Sequence, residues 1–387
     1  MINMKVLVDI ISIQGFINGG AEYTRKILYE LISERDTKNK SYEIIGLYDS
    51  SIPFVENDYT IDFLRKKHIE IIDIRRIKSI SEYIKIENID SFFIGIGQRY
   101  SAYNLKNIVC KTILVLHDVY DYEINDNYLN FFLEFRYGSI WMKIKAIIKN
   151  VIKSKLFRKD YSNLIRFCNQ KNVILITVSE HSKGSIKYYF PELLTKDIKV
   201  FYSPQKIAIL DVSIKNQTLN SIINSKNKYY LIVNANRRMK NSKFVIDTFQ
   251  KICSLYNDYY LVTIGSKKSY FNNHIVLPYL SSSDLEHAYK NAFSLVFPSL
   301  AEGFGYPPLE AMKYGIPVIC SNVCSMPEIL ENSCLYFSPF YKNDLFNKVM
   351  KLENDRSYFA KIAKIRSTIV KERQDKDLIS LVDLILK

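Results

Sequence analysis

The sequence predicts an α/β protein with parallel sheets. Short apolar runs alternate with amphipathic stretches along its 387 residues, the pattern of strands joined by crossover helices. The alternation runs twice, in two halves separated by a polar break. Half of the twelve glycines gather in two places, Gly15, Gly19, Gly20 and Gly303, Gly305, Gly315, so each half has one loop region with unusual backbone control.

The elements follow in order. Met4–Ile11 reads as a buried strand, followed by a glycine loop and a helix over about Ala21–Ile32, where Tyr23, Ile27, Leu28 and Leu31 fall on one face. Further strands are predicted at Tyr42–Leu47, Ser91–Ile96, Thr112–Leu116 and Val173–Val178. In the second half Tyr229–Val233, Tyr260–Ile264, Ser294–Phe297 and Pro317–Cys320 read as strands. Asn241–Leu255, Ser283–Asn291 and Pro307–Tyr314 read as the helices between them. The polar stretch after Ser203 marks the junction. It divides the chain into a domain over 1–203, a linker over 204–228, a domain over 229–370 and a tail helix over 371–387 that packs back on the first domain.

Composition excludes several classes. With 48% hydrophobic and 13% aromatic residues, disorder is not the main state. No stretch approaches eighteen uncharged apolar residues, so no spanning helix is expected. The apolar start is interrupted by Asp9 and lacks a cleavage pattern, which makes a cytoplasmic address the default. The six cysteines contain no C-x-x-C pair and read as reduced, mostly buried thiols. The formal net charge of +14 suits nucleic acid, an anionic membrane surface, phosphate-bearing substrates, or simply a lysine-rich solvated surface.

The strongest local pattern is Phe297–Ser321. A buried strand ends at Phe297-Pro298, a loop carries Glu302 and Gly303-Phe304-Gly305, and Pro307-Pro308 opens a helix that stops at Gly315. Glu302 and Glu310 lie eight positions apart, with Glu310 expected in the first helical turn. A carboxylate there accepts hydrogen bonds from vicinal sugar hydroxyls, and the helix N-terminus favours an anion. A second cluster follows the strand ending near Val233, where Arg237, Arg238 and Lys240 lie at the edge that holds ligands in open α/β sheets. These cations match a nucleotide diphosphate, and spacing does not separate Arg237 from Arg238.

Three further patterns are weaker. Gln14–Lys26 is a glycine loop before a helix, read as flexible and unlike a Walker or dinucleotide fingerprint. Leu114–Asp118 delivers His117 at a strand end, where it can bond a sugar hydroxyl or a phosphate. Ser139–Lys159 sets an apolar face against seven cations, with Trp141 at its start and Lys145, Lys149 and Lys153 along it. This suits an anionic membrane surface, or a core-packed helix with a lysine-rich outer face. The only D-x-D, Asp375-Lys376-Asp377, is near the end of the chain, so no diphosphate-chelating metal and no other cofactor is expected. The many tyrosines are scattered and form no evident base-stacking platform.

These residues together resemble the retaining GT-B-fold glycosyltransferases of family 4, the group 1 type. The carriers are EGFGYPPLE (Glu302–Glu310), RRMKN (Arg237–Asn241), HD (His117-Asp118), SEHSK (Ser179–Lys183) and NGGAEYTR (Asn18–Arg25). MPE (Met326–Glu328) and LYFSPF (Leu335–Phe340) sit where that family would have them. The resemblance implies two Rossmann-like domains facing a central cleft, acceptor side first and nucleotide-sugar side second. It implies catalytic roles for His117 and Glu302. It implies donor binding by Gly20, Arg237, Arg238, Lys240, Gly303, Phe304, Gly305 and Glu310. One departure is Asn234-Ala235-Asn236, where many members have a glycine.

The expected function is metal-independent hexosyl transfer from a nucleotide-diphosphate sugar to a glycan acceptor, with retention. The acceptor is expected to be lipid-linked, in O-antigen or capsule synthesis at the inner face of an anionic membrane, and nucleic acid is not an expected partner. The rival expectations are a GT-B sugar-nucleotide epimerase, which consumes donor without an acceptor, and a non-catalytic partner of a glycosyltransferase.

Overall fold

A computed structural model describes residues 4–15, 18–38, 41–55, 60–124, 161–206 and 213–387. The chain divides into two compact units. One is Met1–Ile207 together with Arg373–Lys387, and the other is Ala208–Glu372.

The first unit is built on seven strands: β1 (Met4–Asp9), β2 (Tyr42–Tyr48), β3 (Glu70–Asp73), β4 (Ser91–Ile94), β5 (Lys111–Val115), β6 (Val173–Thr177) and β7 (Ile198–Val200). All pair in parallel in the order β3-β2-β1-β4-β5-β6-β7. The second unit has β8 (Tyr229–Ile232), β9 (Tyr260–Ile264), β10 (His274–Leu277), β11 (Ser294–Phe297), β12 (Val318–Ser321) and β13 (Leu335–Phe337). Its order is β10-β9-β8-β11-β12-β13, again wholly parallel. In each sheet the strand order reverses once, between β1 and β4 and between β8 and β11. In open parallel sheets the crevice at such a switch point, beyond the carboxyl ends of the strands, holds the ligand.

The sequence explains which strands are visible before folding. The central strands β4, β8, β11 and β12 are buried at every position, as expected where both faces of a parallel sheet are covered. The strands that the apolar runs did not predict are β3, β7, β10 and β13. These are the four sheet edges. Each is partly exposed, and β3, β7 and β10 carry charged or polar residues (Glu70, Asp73, Lys199, His274), so the apolar signal is weak.

Other boundaries move for identifiable reasons. The stretch 204–228, expected as a linker, contains a helix over Gln217–Asn224. The Asn216 side chain caps it by accepting from Leu219 N at 2.9 Å, and Leu219 and Ile222 are buried. The expected tail helix is the end of a much longer helical run, Lys342–Leu386, with non-helical geometry at Asp355. The division between the units falls inside this run. Its last part is tied to the segment after β7: Tyr202 N donates to Asp377 at 2.9 Å, Arg373 Nε donates to Asp377 at 2.7 Å, and Gln374 Nε2 donates to Ser203 O at 2.5 Å. The lone D-x-D therefore supplies a structural latch through the buried Asp377.

The loop after β1 is anchored where it was expected to be flexible. Gln14 Nε2 donates to Asp49 O at 2.9 Å and Ile52 O at 2.6 Å, while Gln14 Oε1 accepts from Asp49 N at 2.9 Å. Gly15 N donates to Pro53 O at 2.9 Å. Asn18 Oδ1 accepts from Ala21 N at 2.9 Å, which starts the helix at Gly19 rather than Ala21. Gly20 thus lies in the first helical turn, not in the loop.

At the switch point of the first sheet, fully buried Asp9 collects the neighbouring elements. Its carboxylate accepts from Ser12 N at 2.9 Å, from Ser12 Oγ, from Gly95 N at 3.0 Å and from Tyr100 OH at 2.9 Å. Burial pushes the Asp9 carboxyl up, against hydrogen bonds that favour its charged form.

Candidate active site

The second unit assembles the strongest sequence motifs at the β8/β11 switch point. The loop after β8 runs through Asn234, at φ 56°, to a 3₁₀ turn over Arg238–Lys240. The loop after β11 runs from Pro298 to Gly305. Leu300 N donates to Met239 O at 2.9 Å and joins the two loops, while Lys240 N closes the turn within the first loop by donating to Arg237 O at 2.9 Å. This brings the Lys240 ammonium onto the Glu302 carboxylate, although 62 positions separate them. The side chains are only 10% and 17% exposed, which makes this a largely desolvated ion pair.

Both partners are held from other sides. Ser299 Oγ donates to Glu302 Oε1. Ser325 Oγ donates to Glu302 O at 2.8 Å, and the Lys240 ammonium lies 4.5 Å from the Phe297 ring centre. Phe304 is buried, with its ring edge-on to Tyr306 at 5.6 Å. Gly305 ends the loop at φ 86°, and a Cβ there would fall 2.3 Å from Met326 Cε. The dihedral favours glycine, and any side chain there would also have to displace the end of Met326.

Glu310 is placed differently from its expected position. The helix spans Tyr306–Met312, so Glu310 is its fifth residue and not part of the first turn, which holds no acid. Its role is therefore not to complement the helix dipole. The fully buried Tyr289 phenol bonds to it, and burial with this carboxylate raises the phenol well above its ordinary range. Tyr289 thus remains a donor that fixes the carboxylate. Tyr289 carried no motif in the sequence; only burial reveals it. Arg237 is exposed on the same loop. Arg238 begins the 3₁₀ turn, and its side chain lies outside what the structure describes.

His117 and Gly20 belong to the first unit and come together at its own switch point. His117 Nε2 donates to Gly95 O at 2.9 Å. A carbonyl only accepts, so the neutral ring carries its proton on Nε2 and keeps Nδ1 as an acceptor. Burial lowers the pKa from the ordinary 6.5 to about 4, and Tyr23 packs edge-on against the ring at 4.9 Å. Gly20 lies against the next residue of that turn: a Cβ would meet Ile96 Cδ1 at 2.7 Å. Gly20 therefore lets the helix approach the β4 turn, a packing reason that its motif did not disclose. The expected membrane-contact residues Trp141, Lys145, Lys149 and Lys153 lie outside the described residues.

Two wholly parallel sheets, each with helices between its strands, define the fold class. Residues 214–368, within the second unit, match the family described as glycosyl transferases, group 1, and the whole chain shares the GT-B fold of solved glycosyltransferases. Among curated relatives it is similar to the O-antigen chain mannosyltransferase RfbU of Salmonella typhimurium, 30% identical over 241 residues, covering 52% of this chain and 65% of the relative. It is also similar to the O-antigen chain mannosyltransferase B of Escherichia coli, 42% identical over 79 residues, 20% of each chain. The chain thus spans less than two thirds of either relative's length.

Solved structures are similar over nearly the whole chain at low identity. WaaG, a glycosyltransferase involved in lipopolysaccharide biosynthesis, has a TM-score of 0.64 at 12% identity, covering 99% of both chains. Anabaena HepE, solved with UDP-glucose, has a TM-score of 0.63 at 13% identity, covering 99% of this chain and 98% of that one. These likenesses establish the shared fold.

Removing one member of the ion pair leaves the other charge desolvated. Lys240→Met is expected to cost about 3 kcal/mol of stability. The double variant Lys240→Met with Glu302→Leu is expected to lose clearly less than the sum of the single losses. A urea-denaturation double-mutant cycle measures this coupling.

Acid should weaken the fold through two histidines. Buried His274 donates from Nε2 to Thr263 Oγ at 2.9 Å and accepts at Nδ1 from Tyr270 N at 3.2 Å, and burial lowers it, like His117, to about 4. Between pH 6.5 and 4 the unfolded chain takes up protons that the folded chain refuses. The contribution is therefore fully present above about pH 6.5 and lost as pH falls towards 4. The ring resonances of His117 and His274 in the folded protein should stay at their neutral positions down to about pH 5.

Proposed function

We propose that the chain transfers a hexosyl group from a nucleotide-diphosphate sugar to a glycan acceptor in bacterial surface-polysaccharide synthesis. The observation that carries this reading is the Lys240–Glu302 pair at the β8/β11 switch point, with Glu310 fixed by Tyr289 on the following helix. The relatives named O-antigen mannosyltransferases support it and make mannose the first sugar to test.

In this reading Lys240 and Arg237 neutralise the diphosphate. Glu302 and the backbone of Gly303–Gly305 hold the transferred sugar, and Glu310 holds the ribose hydroxyls. Breaking the anomeric C–O bond builds negative charge on the leaving diphosphate and positive charge on the sugar. A preorganised cation stabilises the former, typically worth about 100- to 1000-fold in rate per group. His117, neutral and fixed by Gly95 O, offers Nδ1 as acceptor to a sugar hydroxyl. Retention would follow from attack on the face the diphosphate leaves, with its oxygen taking the acceptor proton.

Thermal-shift measurements with UDP, GDP, dTDP and their sugar conjugates test this. A nucleotide at 100 times its dissociation constant should stabilise the fold by about 2.7 kcal/mol. Glu310→Ala is expected to abolish the shift while the protein stays folded. Donor consumed without a glycan product would indicate an epimerase instead. No shift with any nucleotide in the folded wild type would count against the proposal.

Peripheral attachment to an anionic membrane, with a lipid-linked acceptor, belongs to the same proposal and is supported by the basic run Ser139–Lys159. Among the described residues no helix is long and apolar enough to cross a membrane. Removing the charges of Lys145, Lys149 and Lys153 should weaken sedimentation with vesicles containing anionic lipid. Unchanged binding would refute the attachment.

A further inference from the structure

Tyr279 stands directly after β10 with 58% of its surface exposed. It is nevertheless held in place. Its hydroxyl donates to Asn236 Oδ1 at 2.5 Å, on the loop after β8. Its ring lies on Gly265, the residue after β9: a Cβ at Gly265 would fall 3.3 Å from Cζ and 3.4 Å from Cε1. Gly265 sits at φ 86° and is itself pinned, donating to Leu277 O at 2.9 Å, while Ala235 N donates to Ile264 O at 2.9 Å. Three neighbouring strand ends thus grip one tyrosine.

Its surroundings differ from those of Tyr270, which is also exposed. Tyr270 is covered by the Lys243 and Lys268 ammonium groups at 5.4 and 5.2 Å. Among the described residues no ring or cation covers Tyr279. The residue that tethers it, Asn236, is the immediate neighbour of Arg237, the candidate diphosphate cation.

We infer that Tyr279 is the stacking surface for the nucleobase of the donor, a specificity-determining residue that rests on the reading of the second unit as the nucleotide-sugar site. An aromatic face backed on one side by glycine, and bonded to the residue that precedes Arg237, suits a planar base joined to a diphosphate. Base–aromatic stacking is sequence-tolerant, so base choice itself would come from neighbouring hydrogen bonds. Asn236, whose oxygen is taken by Tyr279, offers its amide NH₂ as one such donor.

Calorimetric titration of the full chain with GDP, UDP and inorganic pyrophosphate tests the assignment. Tyr279→Ala is expected to weaken the preferred nucleoside diphosphate about 5- to 100-fold and to leave pyrophosphate within twofold. Tyr279→Phe keeps the ring and should stay within about threefold of wild type. Nucleotide affinity unchanged in Tyr279→Ala, or pyrophosphate weakened in equal proportion, would overturn the stacking role alone. A wild type that binds no nucleoside diphosphate would overturn the donor-site reading and this assignment with it.

Discussion

The candidate site depends on one electrostatic constraint: Lys240 and Glu302 must meet in a largely water-free place. Neither charge is tolerable there alone, because the desolvation of an isolated ion in a protein interior costs several kcal/mol. The pair therefore couples two loops that are far apart in sequence. It can do so only because β8 and β11 are sheet neighbours, with Ser294 beside Tyr230 and Leu295 beside Leu231. Register, the Leu300–Met239 backbone bond, the Ser299 hydroxyl and the Phe297 ring all serve the same end. They hold a cation and a carboxylate ready at the edge where a parallel sheet presents ligands.

The first unit solves a related problem without an ion pair. Asp9 is buried at the carboxyl end of β1 and is satisfied by four neutral donors from three segments. Gly95, at the end of β4, takes part in two relations at once: its N–H serves Asp9 and its carbonyl fixes His117. The proton on His117 Nε2 is thus set by the same turn that the Asp9 network positions. Burial keeps the ring neutral, so what it offers is an acceptor and not a charge. The two units accordingly hold different groups: a largely desolvated charged pair in one and a neutral acceptor in the other.

Much of this was legible in the residues. Central strands announce themselves because both faces are buried and nearly every position is apolar. Glu302 and Lys240 could be singled out because glycines and prolines confine the first to a loop and the strand end before Asn234 confines the second. What the sequence hid has physical causes. The four edge strands are partly exposed, so their apolar signal is weak. Glu310 was expected in the first helical turn because Pro307-Pro308 marks a helix start, but Gly305 caps the helix one residue earlier. Gly20 was placed in a flexible donor-binding loop because its packing neighbour, the Ile96 side chain, comes from 76 positions away, a contact only folding creates. The long terminal helix was seen only as a tail because its surface is mostly charged.

Tyr279 shows the same limit from the other direction. Among 29 tyrosines none stands out in the sequence, because a stacking surface is defined by what leaves it open and not by residue type. Tyr289 is buried and works as a donor to Glu310, Tyr100 is buried and serves Asp9, and Tyr270 is closed off by lysines. Tyr279 differs in being tethered and, among the described residues, covered by no ring or cation. Rigidity matters because an exposed ring that is free to rotate gives up part of any stacking energy to ordering. Gly265 and Asn236 have met that cost during folding. A diphosphate held by cations would then need only to lay its base on a surface already in position. Affinity and orientation would come from the same three strand ends that build the sheet.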